Sequence, residues 1–265
     1  MLDRYNREID YLRISVTDRC NLRCTYCMPA SGIQLMPRED ILSYEKIGEI
    51  VKEGVKGGIR KVRLTGGEPL VREGIVDLVR MIAAIPGVKD LSMTTNGILL
   101  EKYALPLAEA GLNRVNISLD TLSEKHYAEI TRGGDIHKVF RGIDAARDAG
   151  LFPIKINCVV FKNKEEKDAQ EVARFCRENG LQIRFIHQMN LETGEFSVVE
   201  GGEGGDCKNC NRLRLTADGS LRPCLFNDLA FQTKTGIGKA FQLALESKPK
   251  AGTRSLSGRF YGIGG

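Results

Sequence analysis

Strand-like and helix-like segments alternate along most of the 265-residue chain. Short runs rich in Val, Ile and Leu are followed by segments with helical apolar spacing, and Gly or Pro stands at most junctions. The alternation predicts six β-to-α units, whose strands begin near Tyr11, Lys61, Leu91, Arg114, Ile154 and Gln182. Such units form a parallel sheet with right-handed crossovers. Because a closed barrel needs eight units, six predict an α/β fold, either an open partial (β/α)6 TIM-like barrel or an open sheet.

The alternation ends near Asn190. Residues 201–205 consist of four glycines and one glutamate, which predicts a flexible connector. This run does not resemble a P-loop, because the Lys-Ser/Thr of that motif does not follow it. We therefore expect two parts, a partial barrel in residues 1–189 and a C-terminal segment in residues 190–265.

Composition is ordinary for a globular protein, with 42% apolar and 28% charged residues. No apolar run is long enough to span a membrane, and residues 1–8 are too polar for a secretory signal, so we expect a cytoplasmic protein without a membrane partner. There, the eight cysteines should be metal ligands or free thiols. A net charge of +5 suits an anionic small molecule. Nucleic acid is not an expected partner, because no basic run is interleaved with aromatic residues.

Cys20, Cys24 and Cys27 follow the first predicted strand at C-x3-C-x2-C spacing. We call them the first triad. Thiolates are the ligands of iron–sulfur clusters, and three of them can hold a [4Fe–4S] cube with its fourth iron open to a ligand. The alternatives are a structural zinc site and a chance grouping of buried cysteines. Zinc would need a fourth ligand, and the nearest histidine in the chain, His126, is far from the triad in sequence.

Cys207, Cys210 and Cys224 form the second triad, at C-x2-C-x13-C spacing. A second [4Fe–4S] cluster with one open iron is one interpretation. The other is a zinc knuckle that recruits a fourth ligand from elsewhere, such as Cys158 or Cys176. Both of those cysteines lie in apolar segments, where a buried structural thiol is the commoner case.

The spacing of the first triad, with Tyr26 before its last cysteine, resembles the signature of the radical S-adenosylmethionine (SAM) superfamily. The resemblance implies a six-stranded partial barrel and an open iron that chelates SAM. It also implies that Glu68, in the sequence Gly66-Gly67-Glu68-Pro69, holds the amino group of SAM. The residues that it assigns to SAM are Tyr26, Gly66, Gly67, Glu68, Ser118 and Met189.

A narrower resemblance rests on the sequence Cys210-Asn211-Arg212-Leu213-Arg214 ahead of Cys224, together with the final Gly264-Gly265. These features resemble the GTP 3′,8-cyclase family, which catalyses the first step of molybdenum cofactor biosynthesis. The similarity extends over residues 11–189 and 207–226. It implies that the second triad holds a cluster that anchors the base, and that the catalytic residues are Arg212, Arg214, Gly264 and Gly265.

Seven cationic residues come from five segments of the chain. Lys61 and Arg63 are two residues apart in one predicted strand, so their side chains face the same side. A single such residue is more often solvated or paired, whereas seven that converge would form a pocket for a triphosphate. The family resemblance implies convergence for Arg13, Arg63, Lys155, Arg212 and Arg214, with Thr94 beside the nucleotide. Lys61 and Arg184 complete the candidate set for substrate binding.

Two features depart from the family pattern. Met189 and Cys207 are close in sequence, whereas the family has a long additional stretch between the sixth strand and the second cluster. We therefore expect some wall of the substrate cavity to be missing or replaced. His187 and Gln188 also stand where the family pattern has an acidic residue followed by an apolar or aromatic one.

The leading hypothesis is a radical SAM lyase that cyclises GTP with two [4Fe–4S] clusters and SAM. The resemblance implies that SAM is cleaved to methionine and a 5′-deoxyadenosyl radical, which takes hydrogen from C3′ of GTP so that C3′ attacks C8 of guanine. It further implies an electron donor such as flavodoxin or ferredoxin, and it allows a homodimer. A paralogous enzyme acting on another nucleotide or a peptide is the second hypothesis. A structural iron–sulfur or zinc module is the non-enzyme alternative.

Overall fold

The computed structural model describes residues 1–256 and 260–263. Six strands occupy the predicted positions: β1 (Tyr11–Ser15), β2 (Lys61–Thr65), β3 (Asp90–Thr95), β4 (Arg114–Ser118), β5 (Lys155–Val160) and β6 (Gln182–His187). Three more lie in the C-terminal segment: β7 (Arg212–Leu215), β8 (Ser220–Arg222) and β9 (Phe231–Gln232). In this part of the chain all nine strands belong to one sheet, in the order β6-β5-β4-β3-β2-β1-β7-β8-β9.

Strands β1 to β7 pair in parallel, and β8 and β9 are added antiparallel at one edge. The strands β6 and β9 end the order, so the sheet is open. This arrangement confirms the predicted α/β partial barrel. The sequence did not predict that β7 pairs with β1.

The helices connect the strands in the predicted alternation and extend into the C-terminal segment. They are α1 (Tyr44–Gly57), α2 (Ile75–Ala83), α3 (Leu100–Glu109), α4 (Glu124–Thr131), α5 (Ile136–Asp148), α6 (Lys167–Glu178), α7 (Ile237–Glu246) and α8 (Phe260–Ile263). Helix α1 shows how local sequence sets the boundaries. The Ser43 side chain accepts a hydrogen bond from the Lys46 amide at its start, and Gly58 ends it with φ 117°. None of the helices in the described residues is long and apolar enough to cross a membrane.

The two faces of the sheet differ in polarity. Leu12 and Ile14 of β1 are fully buried in the apolar core, together with residues of the surrounding helices. Arg13 lies between them and lines a cavity on the opposite face, in line with the alternation of side chains along a strand. Buried Ser92 and Asn116 lie on neighbouring strands and are also polar. Because alternate residues of each strand pack in the apolar core, the polar residues between them line the inner face of the sheet.

The C-terminal segment packs onto the barrel through both strands and a helix. Leu213 and Leu215 of β7 are fully buried in the main core, and Phe241 of α7 lies against Gly54 of α1. The predicted division at residue 189 stays a prediction. Three strands of the second part nevertheless extend the sheet of the first.

Residues 190–206, predicted to contain a flexible connector, run back along the edge strand β6. Glu200 and Phe185 exchange two backbone hydrogen bonds, of 3.0 and 3.1 Å. Asn190 pairs with Glu195, and the Val199 amide donates to the Gly204 carbonyl over 2.8 Å. We call this segment the strap. Through the pairing of Glu200 with Phe185, it covers part of the edge that β6 would otherwise expose.

Candidate active site

The loop after β2 supports the chain that leads into the first triad. The Gly67 amide donates to the Thr17 carbonyl over 2.7 Å, and the Glu68 amide donates to the Arg19 carbonyl over 2.8 Å. A Cβ atom on Gly67 would lie 2.3 Å from the Arg19 oxygen. The absence of a side chain here therefore allows two backbone segments to pack together. The resemblance also assigns Gly66 and Gly67 to SAM, and that role stays a prediction.

Glu68 is buried at the end of this loop, with three hydrogen-bond donors around its carboxylate. It accepts from the Leu70 amide at 3.0 Å, the Thr95 hydroxyl at 2.8 Å and the Asn96 amide at 2.7 Å. Burial raises its pKa to about 7, although the backbone bonds from Asn96 and Leu70 and the Thr95 hydroxyl oppose the rise. A carboxylate offers about four acceptor positions, so Glu68 has capacity left for one cationic donor.

The thiols of the first triad lie half-buried in the wall of a cavity. Burial raises the pKa of all three, to about 12 for Cys24 and about 11 for Cys27. Asp120 and the neighbouring thiols contribute to the rise in the pKa of Cys24. The Asn96 side-chain amide lies 3.9 Å from the Cys20 sulfur and donates to Asn21 over 2.8 Å. Burial therefore favours the protonated thiols, and ligation would release their protons.

Tyr26 is held by a buried aspartate. Its hydroxyl donates to one carboxylate oxygen of Asp120 over 2.7 Å, while the Val159 amide donates to the other over 2.8 Å. Burial raises the pKa of Asp120 to about 6 and raises that of Tyr26 well above its ordinary value. This contact joins the first triad to the ends of β4 and β5.

A cavity of about 210 Å³ opens beside the first triad. We call it the first cavity. The Thr94 hydroxyl at its wall is buried and has no hydrogen-bond partner in the part of the chain that the structure describes. The first cavity is also lined by all six residues that the family resemblance assigned to SAM: Tyr26, Gly66, Gly67, Glu68, Ser118 and Met189.

A second cavity, of about 190 Å³, lies beside the second triad and contains the arginines. Lys61, Thr94 and Lys155 do not line it. The Lys61 ammonium instead pairs with Asp10 at 3.0 Å, and Thr94 lies in the first cavity. Lys155 is half-buried, and burial, followed by the charges of Arg184, Arg114 and Arg63, lowers its pKa. The arginines that line the second cavity are Arg13, Arg63, Arg184, Arg212 and Arg214.

Strand register explains why three of these arginines meet. Arg214, Arg13 and Arg63 are direct partners across β7, β1 and β2. Burial, and then the charge of Arg212, lower the pKa of Arg214 to about 10. Like charges directly opposite one another are unfavourable, so this row is arranged to receive an anion.

A buried lysine supports the second triad. Lys248 is 1% exposed, and its ammonium donates to the Arg212 and Pro223 carbonyls, both at 2.7 Å. The pKa of Cys210 is lowered, because the charge of Lys248 and the Arg212 amide outweigh the effect of burial. The Arg7 guanidinium donates to the Cys207 carbonyl over 2.6 Å. The triad is thus surrounded by cationic donors.

The donor chemistry of the triads fits iron–sulfur clusters. Within residues 1–256 and 260–263, no three Cys, His, Asp or Glu side chains are placed to hold a single metal ion. In a cube each thiolate binds a different iron, so its sulfurs stand farther apart than those around one zinc ion. Each triad opens onto a cavity that could hold the ligand of an uncovered iron.

The two cavities share a wall. Asn157, Ile186 and Met189 line both of them. Met189, assigned to SAM from the sequence, therefore also borders the arginine-lined cavity. Molecules bound in the two cavities would be neighbours.

The strap supplies a wall of the second cavity, through Phe196, Val199 and Gly204. Phe196 stacks on Phe226 with ring centroids 4.4 Å apart. The sequence predicted that a wall of the cavity would be missing or replaced, and in the structure the strap forms a short wall in its place. His187 and Gln188 line the first cavity, where His187 lies 3.6 Å from Glu200 of the strap.

Sequence reasoning missed several residues of the site. Asn96 directly follows β3 and Asp120 stands two residues after the end of β4, positions that could have identified them. Phe196 and Lys248 carried no such signal, because their partners are distant in sequence. Gly264 and Gly265, predicted to be catalytic, lie outside the described residues.

An open parallel partial barrel with a three-cysteine loop at the carboxyl end of its first strand defines a radical SAM protein. The family model of the radical SAM superfamily matches residues 14–176. The chain belongs, within that superfamily, to the GTP 3′,8-cyclase family. A relative of that name from Thermodesulfovibrio yellowstonii is 45% identical over 274 residues, covering 86% of this chain and 85% of the relative.

Relatives with the same name from Petrotoga mobilis and Moorella thermoacetica are 41% and 45% identical, and each alignment covers 94% of both chains. These alignments extend over 302 and 303 residues, more than the 265 of this chain, so both relatives contain residues that this chain lacks. This difference in length agrees with the short separation of Met189 and Cys207 in the sequence.

Solved structures support the fold. Streptococcus suis SuiB bound to S-adenosylmethionine superposes with a TM-score of 0.66 at 17% identity, over 91% of this chain and 66% of SuiB. The protein anSMEcpe with bound AdoMet gives a TM-score of 0.65 at 20% identity, over 91% of this chain and 81% of that protein. SAM and a [4Fe–4S] cluster are the cofactors of the superfamily to which the chain belongs.

Proposed function

We propose that the chain is a radical SAM lyase that converts GTP into its 3′,8-cyclised nucleotide, the first step of molybdenum cofactor biosynthesis. The observation that carries this proposal is the pair of adjoining cavities. Each has a cysteine triad in its wall, and five arginines line the second. A redox cofactor and a polyanionic nucleotide can thus be held side by side.

The first cavity is the proposed SAM site. The cluster held by Cys20, Cys24 and Cys27 would supply the electron that cleaves SAM, giving a 5′-deoxyadenosyl radical that takes hydrogen from C3′ of the nucleotide. The Glu68 carboxylate would accept a hydrogen bond from the ammonium of SAM. The three groups that already donate to this carboxylate keep it oriented. Tyr26 closes the side near Asp120. The roles of Gly66 and Gly67 are to position this loop.

The second cavity is the proposed nucleotide site. Arg13, Arg63 and Arg214 form a cationic row for the triphosphate, because adjacent guanidinium groups gain an anionic partner when phosphate oxygens bind between them. Cys207, Cys210 and Cys224 would hold a second [4Fe–4S] cluster, which would supply a binding point for the guanine base. Arg212 lies beside this triad, and the strap excludes water from the side of β6.

A one-electron donor such as flavodoxin or ferredoxin would supply the electron, and a homodimer stays a prediction. We propose a cytoplasmic location because the cysteines at both triads, with Cys158 and Cys176, are free thiols.

The test is anaerobic incubation of the iron-loaded protein with GTP, SAM and dithionite. Formation of the 3′,8-cyclised nucleotide together with 5′-deoxyadenosine is the expected result. Cleavage of SAM without any cyclised nucleotide would exclude GTP as the substrate and favour a paralogue that acts on another nucleotide or a peptide. A protein that binds zinc instead of iron and does not cleave SAM would support the alternative of a structural module.

A further inference from the structure

Lys248 follows helix α7 and joins the two segments that carry Cys210 and Cys224. Its ammonium donates to the Arg212 carbonyl, two residues after Cys210, and to the Pro223 carbonyl, directly before Cys224. Both hydrogen bonds are 2.7 Å long, and the side chain is 1% exposed. A single buried group therefore sets the spacing of these two cysteines.

The charge of this ammonium has no carboxylate partner. Across residues 1–256 and 260–263, no aspartate or glutamate forms an ion pair with Lys248. The charged or ionisable groups that face it are Cys210, Cys224 and Arg7, and Arg7 is itself cationic. Carbonyl oxygens satisfy hydrogen bonds but do not neutralise a charge, and an unpaired buried charge is strongly unfavourable. The second triad, once it holds a cluster, is the nearby group that can supply the missing anion.

We propose that Lys248 is the counter-cation of the cluster held by the second triad, a positioning residue that stabilises its thiolate ligands and raises its reduction potential. This inference rests on the proposed second cluster. The net charge around a cluster and the hydrogen bonds to its sulfurs set its potential, and partners of the ligands strongly affect metal affinity. A lysine that donates beside two of three ligands acts through both effects.

A purely structural role for Lys248 makes a different prediction. If the residue only ties two backbone segments together, its removal weakens the protein equally with and without iron. As a counter-cation, it gains the anionic cluster as its partner when iron is loaded, and the iron-free protein lacks that partner. Its removal should then destabilise the loaded protein far more than the iron-free protein.

The experiment uses the full chain with Cys20→Ala, Cys24→Ala and Cys27→Ala, so that any cluster present is the second one. Lys248→Met removes the charge and keeps the length of the side chain, and Lys250→Met is the matched control because Lys250 is exposed. For each variant, the iron content per chain is measured. The reduction potential of the cluster is measured by an anaerobic potentiometric titration that is monitored by electron paramagnetic resonance. Thermal midpoints are measured with and without iron.

The background protein should hold about four irons per chain. Lys248→Met should either lose at least half of this iron or shift the one-electron reduction equilibrium at least tenfold toward the oxidised cluster, which corresponds to about 59 mV. Its thermal midpoint should fall mainly in the loaded form, and Lys250→Met should match the background.

The outcomes separate the two proposals. A background protein without iron would refute the second cluster itself. Four irons, with Lys248→Met unchanged in both iron content and potential, would refute the role of Lys248 alone. An equal loss of stability with and without iron, or failure to fold in both states, would identify Lys248 as a structural tie and would also overturn the inference.

Discussion

Individual side chains in the second cavity are placed by strand register rather than by their neighbours in sequence. Arg13, Arg63 and Arg214 lie at one level of the sheet, with the Arg63 guanidinium 5.4 Å from the centre of the Tyr11 ring and 3.2 Å from the Ser92 hydroxyl. The sequence correctly predicted that Lys61 and Arg63 lie on the same face of the sheet. It could not show that Lys61 lies one level nearer the start of the strands than Arg63. Lys61, at the start of β2, is drawn to Asp10.

Arg184 tests this distinction between depth and face. It lines the second cavity and donates to Asn116 over 3.3 Å, whereas Lys61 does not line the cavity. Arg184→Met should weaken GTP binding by tenfold or more, about 1.4 kcal/mol, since a charge-assisted hydrogen bond is lost. Lys61→Met should change it by less than about twofold. Isothermal titration of the iron-loaded protein measures both, and equal losses would contradict the assignment.

Glu68 gives a pH dependence of known sign. Burial raises its folded pKa from 4.5 to about 7, so the folded state keeps a proton that the unfolded state loses. The resulting stabilisation is present below about pH 4.5 and is lost as the pH rises through about 7. The iron-free wild type should therefore lose stability relative to Glu68→Gln between about pH 5 and pH 8.

Thermal midpoints across that pH range measure the effect. Glu109→Gln, on the exposed end of α3, serves as the control and should follow the wild type at every pH. Parallel curves for the wild type and Glu68→Gln would show that Glu68 does not titrate in this range. A difference of the opposite sign would mean that its charged form is favoured by folding.

At the scale of elements, loops at the carboxyl ends of the strands are fixed by contacts between backbones. The loop after β2 packs on residues 17–19, and the strap packs on β6. The helix and strand boundaries followed from periodicity and capping, as for α1. The strap could not be predicted, because its glycine-rich sequence lacks periodicity and its hydrogen bonds depend on an edge strand already in place.

Gly67→Ala tests the first of these contacts. Its Cβ would lie 2.3 Å from the Arg19 oxygen, so the chain leading into Cys20 must move. We expect iron to fall from about eight to about four per chain, since the second triad is unaffected. Gly238→Ala in α7 is the control, because its Cβ would meet only Glu53, at 3.6 Å. Full iron content in Gly67→Ala would show that this packing does not position the first triad.

For the whole molecule, the six repeated units and the two triads could be predicted because each is encoded locally, by periodicity or by cysteine spacing. The pairing of β7 with β1 could not, since it joins the two ends of the chain and β7 is only four residues long. The role of Lys248 could not be predicted for the same reason. Its partners, Arg212 and Pro223, are 36 and 25 residues away and contribute only backbone oxygens.

SAM and GTP should occupy adjoining cavities, so that a radical formed in one reaches C3′ of the nucleotide in the other. Anaerobic turnover with GTP deuterated at C3′, followed by mass spectrometry of the 5′-deoxyadenosine, measures that transfer directly. We predict 5′-deoxyadenosine carrying one deuterium, formed together with the cyclised nucleotide. Unlabelled 5′-deoxyadenosine formed while SAM is consumed would contradict this arrangement of SAM and GTP.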